Sequence, residues 1–496
     1  MGWDLDMPFC QDLPTIPNPG VGKILVTGAS GYVGGRLVKE LLTRGYDVRA
    51  MVRSDPAIYI DRWPGVDVVQ ADALSYEDLL LALDGVNIIF YLIHSLLLGK
   101  KEFEAADIKV AINFRKAAEK SNVKRIIYLG ALGDKKKILS NHLNSRMQVA
   151  YELFKGNVPV TILRAAIIIG SGSASFEILE NLVRKVPFFL FPEWARTKCQ
   201  PIGIRDVIKY LVGSMEIEET TGKLFDIGGK DQLSYKEMII LFAAIINKKK
   251  LIYNSPVSNY GFYAYIASMV TPVPLRIIRS LMEGCPNEVI CQENDIKAYL
   301  DFDKLTFTEA VVFALDREMQ DKIATRWTDA YPPAYELAIK LSELPKPKFI
   351  STYSLYTTKE ASSLFESICL IGGKQGWFNT NWMWRLRGFI DKLLLGVGSF
   401  RGRRSNSTLR VNDVIDFWRV EELQTNKKLL LRAEMLLPGK AWLEFKIDEL
   451  HEKQKLTVTA FFHQNKGYIG ILYWYIFLPF HFIIFNDLIK QIERRS

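Results

Sequence analysis

Cysteine and histidine are scarce in this sequence. Its 496 residues include only five of each. The cysteines, at positions 10, 199, 285, 291 and 369, are scattered and odd in number, which argues against a disulfide framework and against a paired-cysteine metal site. We therefore expect no metal ion, and a reducing, cytoplasmic compartment.

Long basic tracts and a secretory leader are lacking as well. The net charge is +9, and no zinc-finger spacing occurs, so nucleic acid is not expected as a partner. The opening "MGWDLDMPFCQDLP" is acidic where a signal peptide would be basic, and no apolar run follows it. The modest positive charge fits a solvated surface or, alternatively, peripheral contact with the inner face of a membrane.

Apolar residues, by contrast, are abundant enough for more than one hydrophobic core. They make up 49% of the chain, whose length exceeds what a single core usually supports. The segment "LPKPKF" at 344–349 has the composition of a linker. We predict two domains, residues 20–345 and residues 350–496.

The stretch "KILVTGASGYVGGRLVKEL" at 23–41 is the most informative motif. An apolar strand pattern is followed by three spaced glycines (Gly28, Gly31 and Gly34) and then by a helical pattern. Glycines at such a strand-to-helix turn allow a pyrophosphate to approach the backbone N–H groups of the helix start. The motif therefore predicts dinucleotide binding.

Further apolar runs continue the pattern at 47–53, 66–74, 86–95, 123–132 and 158–169, with helical stretches between them. Such alternation is typical of an α/β fold with a doubly wound parallel sheet.

Strand ends supply the remaining cofactor candidates. Arg53 ends the second strand, where an arginine suits a 2′-phosphate, so NADP is favoured and NAD remains possible. Asp72, after the third strand, could accept from the adenine amino group, since Ser75 is better placed to cap the next helix. His94 ends the fourth strand and is either a lining residue of the nicotinamide or substrate pocket or a structural histidine. The full predicted cofactor set is Thr27, Gly28, Ser30, Gly31, Tyr32, Val33, Gly34, Arg53, Asp72, Ala73 and His94.

A family resemblance is carried by the motifs "TGASGYVGG", "VRS", "ADAL" and "QPIGIRDVIKYLVG". With these motifs, the region 20–340 resembles the atypical, extended branch of the short-chain dehydrogenase/reductase (SDR) superfamily. The resemblance implies a Rossmann fold, bound NADP or NAD, and a substrate region built from later insertions. It also implies a catalytic Tyr-x-x-x-Lys pair with a serine, in which the tyrosine is the acid.

This sequence departs from that catalytic pattern. Tyr151 and Lys155 have the spacing but lie too close to the next strand, so the better-placed segment is "HLNSR". It puts His142 at the tyrosine position and Arg146 at the lysine position, while the serine position falls at Gly130 or Ala131. His142 could be a general acid near neutral pH or merely a helix-start residue. Arg146 could contact ribose hydroxyls but cannot titrate as a lysine can.

Beyond the linker the pattern changes to alternating strands at 413–423, 428–437, 441–447 and 455–463, followed by a long helical segment. Residues 365–496 resemble the helix-grip (SRPBCC, START or polyketide-cyclase-like) fold and the domain fused behind bacterial atypical dehydrogenases. That resemblance implies a hydrophobic cavity.

For two segments of this region the sequence does not decide whether protein, lipid or solvent surrounds them. Residues 467–485 carry no Asp, Glu, Lys or Arg, so the helix could be gripped by the sheet, lie on a bilayer or span one. The basic stretch 385–404 could contact phospholipid headgroups or form a solvated loop.

These features predict an NAD(P)-dependent oxidoreductase of the atypical SDR type acting on an apolar, lipid- or quinone-like substrate. The alternative is a catalytically degenerate NADP-binding protein with a structural, sensing or membrane-complex assembly role. The expected partner in either case is an apolar small molecule or lipid-like ligand.

Overall fold

The computed structural model describes residues 8–94, 100–133, 141–292, 295–320, 322–330, 339–345, 347–373, 375–394, 396–398, 401–450, 453–464 and 468–496. The chain forms two compact units. The first unit comprises Met1–Ala267 and Leu275–Pro333, and the second comprises Ser268–Pro274 and Ala334–Ser496. The division after Pro333 falls earlier than the predicted one at 345–350. The short segment 268–274, predicted to belong to the first domain, groups with the second unit.

The strands of the first unit are β1 (Lys23–Val26), β2 (Val48–Val52), β3 (Asp67–Gln70), β4 (Val86–Tyr91), β5 (Arg125–Ala131), β6 (Val160–Ala165), β7 (Ile168–Ile169), β8 (Phe188–Phe191), β9 (Lys198–Cys199), β10 (Ile202–Gly203), β11 (Leu224–Ile227), β12 (Leu233–Ser234) and β13 (Leu251–Asn254). Its helices are α1 (Gly34–Thr43), α2 (Tyr76–Ala82), α3 (Lys100–Lys120), α4 (Asn141–Phe154), α5 (Ala174–Lys185), α6 (Ile204–Glu216), α7 (Tyr235–Ile245), α8 (Tyr260–Val270), α9 (Leu275–Glu283) and α10 (Phe307–Met319).

Seven of these strands form a parallel sheet in the order β11-β6-β5-β4-β1-β2-β3. The predicted doubly wound sheet is confirmed. Alternate residues of β1 enter two different hydrophobic cores: Ile24 and Val26 join one, and Leu25 joins the other. Both faces of the sheet are therefore buried, which is why its strands read as continuous apolar runs.

The chain order reverses between β1 and β4. From β1 the sheet grows through β2 and β3 on one side and through β4, β5 and β6 on the other. The carboxyl ends of strands at such a switch point border a crevice in which ligands bind. Residues 27–33 and 92–94 follow β1 and β4, so the fold places them at this crevice.

The second unit contains β14 (Phe349–Thr357), α11 (Ala361–Cys369), α12 (Asn381–Leu393), β15 (Val414–Ile415), β16 (Trp418–Gln424), β17 (Lys428–Ala433), β18 (Gly439–Leu450), β19 (Lys453–Gln464) and α13 (Ile469–Arg495). Its strands form an antiparallel sheet in the order β14-β19-β18-β17-β16-β15. The core packs sheet residues such as Leu443 and Val458 with Leu488 and Ile492 of α13.

The antiparallel sheet and the long helix are confirmed, with local differences. The run predicted at 413–423 is divided because Asp416 has a φ of +54°. The run at 428–437 ends earlier, at Ala433, and is followed by Glu434, whose carboxylate is held by arginines. Strand β14 was not predicted.

Three arginines of the basic stretch are internal ion-pair or hydrogen-bond partners. The side chain of Arg401 contacts Glu434 at 2.7 Å, and that of Arg404 contacts Asp413 at 2.9 Å. Arg403 donates to backbone carbonyls, including that of Ile371 at 2.9 Å. Their guanidinium groups are thus held by internal partners, so a solvated loop is wrong for this part of the stretch, while headgroup contact by the stretch stays a prediction.

Candidate functional site

The loop between β1 and α1 admits only glycine at two positions. Gly28 has a φ of +60°, and a Cβ there would lie 3.0 Å from the carbonyl oxygen of Leu92 on the β4 side of the crevice. A Cβ on Gly34 would lie 2.3 Å from the carbonyl oxygen of Gly28. The loop is thus folded tightly against the start of α1. Such a cradle fits the pyrophosphate of a dinucleotide, which needs close access to the backbone.

Other residues of the predicted set build or flank this loop. Thr27 is buried; its hydroxyl donates to Phe90 O at 3.0 Å and accepts from Leu92 N at 2.9 Å, which aligns the ends of β1 and β4. Ser30, Gly31 and Val33 are half-buried in the loop, and Val33 is the N-cap residue of α1. Among the described residues no side chain caps that helix, so no side-chain oxygen competes with an anion for the N–H groups of its first turn.

The neighbouring strand ends carry the two charged candidates. Arg53 is exposed directly after β2, and its guanidinium interacts electrostatically with Asp72, which follows β3. Asp72 is exposed, and its Oδ1 accepts from Leu74 N at 2.9 Å, so one oxygen is used by the local turn. Ala73 beside it is buried. Ser75 caps α2 by accepting from Asp78 N, as predicted.

A polar cluster lies past the end of β4. His94 Nδ1 is 3.8 Å from the carboxylate of Asp107, a buried residue of α3 that also accepts from Ser145 Oγ at 3.4 Å. Burial and the nearby Arg146 lower the pKa of His94 to about 4, although Asp107 opposes the shift. His94 is therefore a neutral imidazole at pH 7. Asp107 was missed because a lone acid within a helical pattern carries no signal of its own.

Arg146 of α4 is buried at the same edge of the sheet. Its guanidinium donates to Ile93 O at 3.1 Å and to Leu129 O, and it lies 4.9 Å from the ring centroid of Tyr128. The phenol of Tyr128 in turn donates to Arg146 O at 3.1 Å. Arg146 thus joins the ends of β4 and β5, and its predicted contact with ribose hydroxyls stays a prediction.

Helix α4 contains "HLNSR" and most of "YELFK", the two segments considered for the catalytic pair. Residue 142 lies in its first turn, while the side chain of His142 is outside the described residues. Tyr151 is 65% exposed, and Lys155 lies beyond the helix, shortly before β6 begins. Because β6 starts at the amino edge of the sheet, Lys155 is remote from the crevice. The "YELFK" segment is therefore not a catalytic pair.

Residues 322–330 cover the glycine-rich loop, and no sequence signal indicated this. Arg36 of α1 donates to Thr325 O at 3.2 Å and stacks over the ring of Tyr32 at 4.2 Å. Thr325 Oγ1 donates to Tyr32 O at 2.8 Å. The Ala330 side chain lies 3.7 Å from where a Gly31 Cβ would be. This segment braces the outer side of the loop.

An aromatic cavity lies inside the second unit. Its walls include Trp384, Trp418, Trp442, Phe462 and Trp474, from α12, the sheet and α13. The Trp377 and Trp384 rings are 4.7 Å apart, and Trp474 and Phe462 are stacked at 5.9 Å. The walls are overwhelmingly apolar, which suits an apolar ligand.

Comparison with known proteins agrees with this geometry. Residues 28–167 match the family model described as NAD(P)H-binding, and residues 344–488 match the family described as Protein of unknown function (DUF2867). The fold, the glycine-rich loop and the family match define the first unit as an NAD(P)-binding Rossmann domain. Its fold is that of the atypical SDR-like Rossmann domains.

Several relatives match this region. The Photosystem II assembly factor Ycf39 of Trieres chinensis is 24% identical over 252 residues, which are 49% of this chain and 77% of that protein. The divinyl chlorophyllide a 8-vinyl-reductase of Cucumis sativus is 22% identical over 263 residues, 49% of this chain and 62% of that protein. The crystal structure of the Citrobacter sp. triphenylmethane reductase complexed with NADP(H) aligns at 19% identity with a TM-score of 0.49, covering 59% of this chain and 99% of that one.

Proposed function

We propose that the protein is an NAD(P)-dependent oxidoreductase of the atypical SDR type that acts on an apolar, lipid- or quinone-like substrate. The observation that carries the proposal is that the glycine cradle and the His94–Asp107–Arg146 cluster lie at the carboxyl edge of the same sheet. A dinucleotide held by its pyrophosphate at the loop would extend along this edge.

The bound cofactor would supply hydride transfer, and the residues of the chain would bind, orient and exchange protons. The loop at Gly28 and the first turn of α1 would hold the pyrophosphate. Arg53 would favour NADP over NAD by pairing with the 2′-phosphate of NADP. Neutral His94 can exchange a hydrogen bond with the nicotinamide amide or the substrate. His142, one turn before Arg146 on α4, is the candidate acid.

The class of substrate is proposed from the second unit. Its antiparallel sheet carries a long helix, and the space bounded by α12, the sheet and α13 is lined by tryptophan and phenylalanine side chains. His481, which contacts Trp474 with ring centroids 5.1 Å apart, has its pKa lowered to about 4 by burial and is neutral. The cavity thus favours an uncharged ring or acyl chain, as a helix-grip domain would hold it.

The test is NADPH oxidation by the purified full-length chain with decylubiquinone as acceptor. We expect turnover by the unmodified protein, and a loss of turnover with unchanged NADPH affinity for His142→Ala. Tyr151→Phe is the matched control on the same helix, and we expect it to be silent because that side chain is exposed. Full turnover in His142→Ala would remove this histidine as the acid.

The alternative function is a non-enzymatic, NADP-binding role in assembly or sensing. The specific observation in its favour is that Arg146, at the position of the catalytic lysine, donates to two strand-end carbonyls. The similarity to the assembly factor Ycf39 points the same way. Tight NADPH binding without oxidation by any quinone or lipid aldehyde supplied would support this role.

We also propose a reducing, cytoplasmic location, since all five cysteines are free thiols.

A further inference from the structure

Two helices of the second unit expose many large apolar side chains, here together called the apolar face. It consists of Trp382, Leu386, Phe389, Ile390 and Leu393 of α12 and Ile469, Leu472, Tyr475, Ile476, Phe480, Phe482 and Ile483 of α13. Their exposed fractions run from 43% to 75%. Both helices line the aromatic cavity, and Tyr473 of α13 interacts with Arg387 of α12, so the two halves of the face border the same cavity. A patch of this kind marks an interaction surface, since soluble proteins rarely leave so much contiguous apolar area in water.

The composition of the face indicates what covers it. Within 381–393 and 469–483, all of which the structure describes, the one carboxylate is Asp391. Asp391 is buried and accepts from the backbone N–H groups of Leu436 and Gly398. Arg385 is exposed on α12, and Arg387 donates to Leu436 O at 2.8 Å. An apolar surface with tryptophan, tyrosine and arginine and without exposed acids complements the interface of an anionic bilayer.

The packing of α13 decides how the helix can meet that bilayer. From Ile484 onward its side chains enter the core of the unit, including Phe485, Leu488 and Ile492. Only 15 residues, Ile469–Ile483, precede this core. They rise about 22 Å at 1.5 Å per residue, less than the roughly 30 Å hydrocarbon thickness. Trp474 is also buried on this part of the helix, so one side packs on the protein while the other is exposed. This geometry suits a helix lying in the interface, not a span.

We propose that α12 and the first half of α13 form a monotopic docking face for an anionic lipid bilayer. Trp382, Leu386, Ile390 and Phe480 belong both to the exposed face and to the lining of the aromatic cavity. The mouth of the cavity therefore lies in the docked face, and a lipid-like molecule can pass from the bilayer into it without crossing water. The proposal rests on the second unit alone and does not require the redox activity.

The test is flotation of the full-length protein with vesicles of phosphatidylcholine, with and without phosphatidylglycerol. We expect flotation with both and more with the anionic vesicles. The double variant Leu472→Glu/Ile476→Glu places two carboxylates one turn apart on the face, at positions that are 62% and 52% exposed. We expect its partition into vesicles to fall at least about tenfold.

The matched control is Ile60→Glu/Leu81→Glu, which makes the same changes at first-unit positions that are 64% and 75% exposed. It should float as the unmodified protein does, and circular dichroism should show both variants folded. Three results would overturn the proposal: no flotation of the unmodified protein, equal flotation of the two variants, or resistance to carbonate extraction, which would indicate a span. A vesicle-independent dimer that the face variant converts to a monomer would assign the face to a second copy instead.

Discussion

Replacing Gly34 by alanine tests the nucleotide cradle most directly. The added Cβ would meet three backbone atoms, with Gly28 O at 2.3 Å, Gly28 C at 2.8 Å and Ala29 Cα at 2.9 Å. Ordinary contact begins near 3.4 Å, so the loop must move by about an ångström. Backbone cannot yield as a flexible side chain can. We expect the free energy of unfolding to fall by about 1–3 kcal/mol, the usual cost of overpacking.

Cofactor binding should suffer further, because the displaced loop carries the N–H groups that we expect to hold the pyrophosphate. Losing one charge-assisted hydrogen bond costs about 1.5–3 kcal/mol, which is roughly a 10- to 150-fold weaker affinity. Isothermal titration calorimetry with NADPH measures this loss, and a thermal melt measures the loss of stability.

The control for overpacking alone is Gly213→Ala in α6. Its Cβ would lie 2.5 Å from Leu300 Cδ2, the end of a side chain that can rotate away. We expect unchanged NADPH affinity in this variant. If Gly34→Ala bound NADPH as tightly as the unmodified chain, the assignment of the loop to the pyrophosphate would be refuted.

Two other predictions concern charges. Arg53→Ala should abolish a preference for NADPH over NADH by removing a contact with the 2′-phosphate worth about 1.5–3 kcal/mol; equal affinity for both cofactors in the unmodified protein would contradict the proposed pairing. Glu434→Gln should destabilise the second unit by about 3–5 kcal/mol, since its carboxylate, 3% exposed, meets Arg419 at 2.5 Å and Arg401 at 2.7 Å. Burial alone would raise the pKa of Glu434, but the arginines lower it from 4.5 to about 2. Its stabilising contribution is therefore present above pH 4.5 and is lost as the pH falls towards 2, which acid titration of the melting temperature, with the variant as reference, would show.

The sheet and the glycine-rich loop of the first unit were largely predictable. Both follow from local sequence patterns. The glycines of the loop have backbone contacts that exclude a Cβ, and the apolar runs are strands buried on both faces. Asp107 and Thr325 could not be predicted, because each reaches the site from a distant part of the chain through contacts that leave no periodic or compositional trace.

The role of the basic stretch shows the limit of composition. A run of arginines looks the same in a sequence whether its charges face water or carboxylates. Arg401 lies 2.7 Å from Glu434, 33 positions later in the chain. Arg401 precedes β15 and Glu434 follows β17, so only the folding of the second unit brings the two together. The sequence therefore offered no ground for choosing between solvated and carboxylate-paired arginines.

By itself the sequence determined the parallel sheet, its glycine cradle, the antiparallel second region and the long apolar helix, because each follows from local periodicity or from the backbone needs of single residues. Only the tertiary structure decided which side of that helix is covered. From Ile484 onward α13 enters a core, and before it much of the surface is exposed. The helix is apolar along both parts, so hydropathy does not distinguish them; the difference arises from which side chains the sheet and α11 can reach.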